Sequence, residues 1–309
     1  MGLLRTLRNL FYGVVLCTTL FVGIPGNVLV IAAVRRKRLL RSTTNYLLAN
    51  VAAADLATIV FAIICGIPYL FTLDNFPDIF CKIFYIGNLP VTTTSASTLT
   101  LAILAIERYQ AVIHPLQDSY KLREDTVKYA IVASWIISLG VTLPLYVFSV
   151  FENGECSHKY VNYKTYIIIA FSLVIFIPCL VMLFCYGCIV KELYFKNSVA
   201  PQNISAAEEA AMRQKLFKRS ACVTVVFVSC FLPVAIIHTL RLYIGVKTDI
   251  RNIAFAIYFL DAAINPLIYS CQSSNFRQAF IEIIKDYCNK ARKRVIKKNR
   301  DVTHGDTES

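Results

Sequence analysis

Residues 165–190 read TYIIIAFSLVIFIPCLVMLFCYGCIV, 26 positions without one Asp, Glu, Lys or Arg. A helix of about 20 such residues crosses the ~30 Å hydrocarbon core of a bilayer, so this stretch reads as a transmembrane span. The pattern recurs along the chain. Residues 9–34, 83–106, 129–151 and 220–240 are equally charge-free, 42–73 contain only Asp55, and 252–276 contain only Asp261. Seven spans account for a composition that is 57% hydrophobic and 17% charged, more apolar than one or two soluble cores require. The first run exceeds the apolar region of a secretory signal, and no small-residue cleavage site follows it, so it reads as a retained helix.

Taking alternate loops, 24 of the 32 Lys and Arg fall on one side, among them Arg35, Arg36, Lys37, Arg38, Arg108 and the basic tail. The positive-inside rule puts that side in the cytoplasm and the N-terminus outside, as in a multi-pass plasma-membrane protein. The net charge of +13 is spread over loops beside anionic lipid and does not point to nucleic acid. Of the eleven cysteines, only Cys81 and Cys156 fall on the oxidising outer side, which predicts a disulfide between span three and the loop after span four.

No internal repeat or linker divides the chain, so residues 1–288 read as one membrane domain. The longest cytoplasmic loop, about 195–212, carries the soft segment NSVAPQNISAAEEA. After span seven, Phe276, Phe280, Ile283, Ile284 and Tyr287 recur at helical spacing with charges between them. This predicts an amphipathic helix at about 274–288, lying in the headgroup plane. Cys288 at its end is a candidate acylation site or a plain thiol. Residues 289–309 read as a basic, disordered cytoplasmic tail. The expected fold is an all-α membrane protein: a seven-transmembrane helix bundle with a short amphipathic membrane-surface helix after the seventh span.

Ionisable groups inside spans cost about 2.5–3.5 kcal/mol each on insertion scales and call for a reason. Asp55 is mid-span, and Asp261 and Asn265, four apart, share a helix face. With Asn27 and Ser97 they would line a polar chamber. Two carboxylates in one low-dielectric chamber do not both stay ionised without a cation, so a proton or a sodium ion is expected there. The alternative is a structural hydrogen-bond network. Pro144, Pro178, Pro233 and Pro266 interrupt spans four to seven, as suits a bundle with two arrangements.

These motifs together resemble those of rhodopsin-like (class A) G-protein-coupled receptors over roughly residues 10–288. Gly26-Asn27, LLANVAAADL, Glu107-Arg108-Tyr109, Trp135, Pro178 with Tyr186, Cys230-Phe231-Leu232-Pro233 and Asn265-Pro266-Leu267-Ile268-Tyr269 stand in the family's order. The resemblance implies an outward-facing ligand cavity and nucleotide exchange on a heterotrimeric G protein at the inner face, with arrestin and receptor kinases as further partners. It implies that Arg108 pairs with Glu107 at rest and turns toward Tyr186 on opening, with Tyr269 moving in. Leu116 would be an apolar knob for the partner, and Phe227, Phe231 and Pro233 belong to the switch in span six.

The sequence departs from that pattern in four places. Phe231 stands where Trp is usual, and Asp261 where Asn is usual. Cys81 lies 27 residues before Arg108, two more than usual, with Pro90 between, which blurs the register of upper span three. Arg213 stands where some members have an acid that locks the third-span arginine, so Arg108 is held by its neighbour alone and appreciable basal activity is expected.

No lysine in 252–276 could hold retinal, and neither Pro90 nor Asn88 supplies the acid of amine receptors. The candidate ligand cavity comprises Tyr69, Thr92, Phe231, His238, Arg241, Phe255, Tyr258 and Phe259, under an outer-loop hairpin. This favours a short neuropeptide over a lipid or small organic ligand. A transporter, with its repeated halves, is the remote alternative. Without an H-E-x-x-H or G-x-S-x-G pattern, an enzyme is not expected.

Overall fold

The computed structural model describes residues 2–66, 78–84, 88–114, 122–152, 155–158, 162–196, 204–244 and 248–305. Span one is helical from α1 (Gly2–Thr18) through a π-helical turn at Thr19–Gly23 into α2 (Ile24–Arg36). Span two is α3 (Thr43–Gly66). The short α4 (Asp78–Phe84) precedes span three, α5 (Asn88–Ile113), and span four is α6 (Val127–Val147). Span five is α7 (Tyr163–Phe171), a π-helical turn at Ser172–Phe176, and α8 (Ile177–Val190). Spans six and seven are α9 (Ile204–Ile244) and α10 (Thr248–Gln272), and α11 (Ser274–Gly305) follows.

Among the described residues six stretches are long and apolar enough to cross a membrane. The seventh member of the bundle, α10, packs against α9, α2 and α3. Large apolar side chains point away from the bundle: Ile136, Leu180, Leu183, Phe184 and Val225 are all more than 60% exposed. A helix surface of this kind needs hydrocarbon around it. The protein is a multi-pass membrane protein of the expected fold class.

The centre belongs to α5, which contacts α3, α6, α8 and α9 and is buried along most of its length. Its many hydroxyls do not need water. Ser95, Thr98 and Thr100 donate to the carbonyls of Val91, Thr94 and Ala96, four residues back, at 2.7, 2.9 and 2.6 Å. That bond satisfies a hydroxyl inside a membrane helix without breaking the helix. The lone tryptophan ties span four to span two: Trp135 Nε1 donates to Asn50 Oδ1 at 3.0 Å, and Asn50 Nδ2 donates to Thr100 Oγ1 at 2.8 Å.

Proline positions explain the π-helical turns. Pro25 and Pro178 each occupy the second residue after one. Proline offers no N–H to the carbonyl four residues earlier, and a wider turn accommodates the lost bond. Pro144, Pro233 and Pro266 lie inside α6, α9 and α10.

Between spans four and five, β1 (Ser149–Glu152) and β2 (Glu155–His158) form the expected antiparallel hairpin, with Phe151 opposite Cys156. The Cys81–Cys156 disulfide, Cα to Cα 5.6 Å, ties this hairpin to α4.

Two boundaries differ from the sequence reading. The soft loop is shorter, because α9 already begins at Ile204. The helix expected to end near Cys288 runs on to Gly305, so the tail described up to that point is helical rather than irregular. Residues 289–304 contain neither Gly nor Pro, and nothing local ends the helix before Gly305.

Candidate functional site

Near the C-terminal end of span three, Arg108 Nε and Nη2 donate to the two carboxylate oxygens of Glu107, a bidentate pair of adjacent residues. Thr44 Oγ1, at the N-terminal end of span two, donates to the same carboxylate at 3.4 Å. Arg108 is 9% exposed, so the ion pair is covered by its neighbours. Tyr186 OH accepts a hydrogen bond from Thr224 Oγ1 at 3.3 Å, linking spans five and six, while the buried Tyr269 ring lies 5.8 Å from Phe276. Among the described residues neither tyrosine hydroxyl hydrogen-bonds Arg108. Tyr109 turns the other way, toward Phe184 and His114, and lines a cleft of about 480 Å³ between spans three and five.

The amphipathic helix docks here. Phe276, Phe280 and Ile283 are buried while Ile284 and Tyr287 face outward, so its apolar residues divide between the bundle and the membrane. Lys37 Nζ donates to Glu282 Oε2, and Arg36 Nη2 donates to Tyr287 OH at 2.9 Å. The Lys37 bond, with a second from Gln278, holds the Glu282 carboxyl below the usual carboxylate range. Cys288 is an exposed free thiol on the same helix.

In the core, Asp55 Oδ2 accepts from Asn265 Nδ2 at 2.7 Å and Oδ1 from Ser97 Oγ at 3.2 Å. Asn27 Nδ2 donates to the carbonyls of Ala262 and Gly23 at 2.7 and 2.9 Å, fastening span one to span seven beside Asp261. All five predicted chamber residues are buried. Three buried oxygens there, Asp261 Oδ1, Asn265 Oδ1 and Asn27 Oδ1, have no donor among the described residues. An all-oxygen set with unsatisfied acceptors fits a hard monovalent cation or an added proton.

Above the chamber, Phe227 stacks on Phe231 at 4.3 Å between ring centroids, and Phe231 meets Tyr258 edge-on at 4.8 Å. Tyr258 in turn meets Phe259 at 4.9 Å and donates to the Pro90 carbonyl at 3.1 Å, and its hydroxyl also bonds Thr94. The face of α5 bearing Pro90 and Thr94 therefore addresses span seven. Asn88 faces span four, donating to Leu145 O at 3.3 Å and Ser149 Oγ at 3.2 Å. Cys81 sits on the separate α4, so its spacing to Arg108 does not fix which residues of α5 face span seven.

Thr92 does not join the cavity residues. Its hydroxyl bonds Thr142 Oγ1 and Tyr146 OH of span four, both at 2.7 Å. It lies two residues from both Pro90 and Thr94, and two helical positions turn a side chain by about 200°. His238 packs against Phe171 of span five at 5.4 Å. Tyr69 and Leu116 lie outside the described residues, as do the side chains of Arg213, Arg241 and Phe255.

Sequence reasoning missed Thr94, Thr44, Asn45 and Arg219. Thr94 was one of three consecutive threonines with an unsettled register. Arg219 stands directly before the charge-free run 220–240, where a basic residue ordinarily reaches toward headgroups.

Residues 26–269 match the family model for the 7 transmembrane receptor (rhodopsin family). The chain is 28% identical over 286 residues to the allatostatin-A receptor of Bombyx mori, covering 86% of this chain and 77% of that one. It is 28% identical over 302 residues to somatostatin receptor type 5 of Rattus norvegicus, covering 92% and 79%. It is 25% identical over 311 residues to the QRFP-like peptide receptor of Branchiostoma floridae, covering 93% and 79%.

Proposed function

Because the chain belongs to the rhodopsin family of seven-transmembrane receptors, we propose that it is a plasma-membrane receptor for a short extracellular neuropeptide that activates heterotrimeric G proteins. Its N-terminus is outside and its tail cytoplasmic. The observation that carries the reading is the shut inner face, where a bidentate Glu107–Arg108 pair is buried while Tyr186 and Tyr269 make other contacts. A ligand that binds the open arrangement better than the closed one shifts the population and frees Arg108 for the partner. The family is one of receptors, not enzymes. A peptide is favoured because relatives covering most of this chain include a receptor named for a peptide. The disulfide-anchored hairpin and the aromatic floor of Phe231, Tyr258 and Phe259 suit an extended ligand. A lipid or small organic ligand is the second reading.

The reading extends to the core, where Asp55, Asp261, Ser97, Asn27 and Asn265 would hold a sodium ion or share a proton. The same inner face, with Leu116 and the basic tail, would serve arrestin and receptor kinases, and acylated Cys288 would add a lipid anchor.

The test is a panel of peptides, lipids and amines applied to cells expressing the chain with a promiscuous G-protein reporter. A peptide response is expected, and a response confined to lipids would overturn the ligand class. Arg108→Ala is expected to abolish nucleotide exchange while surface expression, read by flow cytometry, survives. Unimpaired exchange in that variant would remove Arg108 from its assigned role.

A further inference from the structure

Arg219, at the inner end of span six, is only 5% exposed. Its Nη2 donates to Asn45 Oδ1 at 3.2 Å, and its guanidinium carbon lies 5.5 Å from the centre of the Phe276 ring. Asn45 is oriented by its own amide, which donates to the Leu40 carbonyl at 3.0 Å. Among the described residues the buried Arg219 Nε has no acceptor, and no carboxylate lies within 4.0 Å of the guanidinium. The Glu107 carboxylate is engaged by Arg108. A permanently charged group with five N–H donors is thus buried against one neutral acceptor and one aromatic face.

We infer that Arg219 is a primed charge whose incomplete pairing destabilises the shut inner face, so that it biases the receptor toward opening. A buried ion left short of partners is costly, and replacing it with an apolar side chain of similar volume commonly stabilises the state that buries it. When span six swings outward the guanidinium reaches water and headgroup phosphates, and the cost is relieved. Asn45 limits the cost without cancelling it. The ring contact reaches α11 and, through the Phe276–Tyr269 contact, span seven, so the charge opposes closure of spans two, six and seven together. The inference rests on the chain being a receptor with shut and open inner faces.

The test needs no ligand. Basal G-protein signal is measured in cells expressing the full chain and divided by surface receptor number. In parallel, the purified chain carries nitroxides at Arg41→Cys and Met212→Cys, both exposed positions, with the exposed Cys17, Cys271 and Cys288 changed to Ser. Arg219→Met is expected to lower the basal signal about fivefold or more, the population shift that partial relief of a buried-charge penalty produces, and to shorten the label-to-label distances. Arg219→Gln, which keeps a donor for Asn45, should move both readouts the same way. Asn45→Ala should raise the basal signal, and its effect should vanish in the Arg219→Met background. Unchanged or higher basal signal in both Arg219 variants overturns the inference, as does an Asn45→Ala effect that persists undiminished beside Arg219→Met. Distances that shift as expected while no variant, wild type included, drives a G protein would uphold the primed charge and defeat the coupling reading.

Discussion

At the scale of single residues, the unsatisfied oxygens around Asp261 are the most consequential feature of the core. If a cation or proton joins them, Asp261→Asn removes the second charge, and agonist affinity should lose its dependence on sodium. Radioligand competition across a sodium series checks this; equal affinity with and without sodium in the unmodified chain would discount a sodium ion there and leave the shared proton. Gly26 offers a simpler test. A Cβ built there would stand 2.6 Å from Pro266 Cβ, so Gly26→Ala forces spans one and seven apart. Overpacking of that kind costs about 1–3 kcal/mol, and the melting temperature of the detergent-solubilised protein should fall. Residues whose chemistry alone is conspicuous in a greasy helix, such as Asp55, Asp261 and Glu107-Arg108, were legible in the sequence. Thr92 was misread because a two-residue step carries a side chain to another helix. Arg219 was passed over because a charge next to the membrane boundary says nothing of whether it faces lipid or core.

At the scale of elements, the docking of α11 depends on short polar bridges to the first inner loop. Lys37 depresses the Glu282 pKa, so this carboxylate stabilises the docked helix above its ordinary unfolded pKa and loses that contribution as pH falls through the lowered folded value. A fluorophore on the exposed Cys288 should therefore gain mobility, read by anisotropy, only below the usual carboxylate range. Glu282→Gln should show the loosened state at neutral pH. Both carboxylate and ammonium are substantially exposed, so the effect is modest and fades with salt. The existence of α11 was legible from its apolar spacing, but its end was not. The apolar stripe fades after Tyr287, while the backbone continues as a helix to the first glycine.

At the scale of the whole molecule, two devices act in one direction. Arg213 supplies no acid to lock Arg108 across the bundle, and Arg219 is buried with no carboxylate within 4.0 Å among the described residues. A raised resting output is expected, measured as G-protein signal above that of untransfected cells at matched surface density; a signal equal to theirs would count against it. Seven spans were legible because hydrocarbon thickness imposes few solutions. Which faces converge was not, since periodicity in a bundle greasy on all sides marks neither lipid nor neighbour.

The hydrogen-bonded pair of Trp135 and Asn50 has an optical consequence. The only indole in the chain is fixed in span four, against span two and away from the moving inner ends, so near-ultraviolet emission should be nearly blind to activation. An indole installed by Phe231→Trp, between Phe227 and Tyr258, would report on a quiet background, its colour and yield following the wetness of the switch itself.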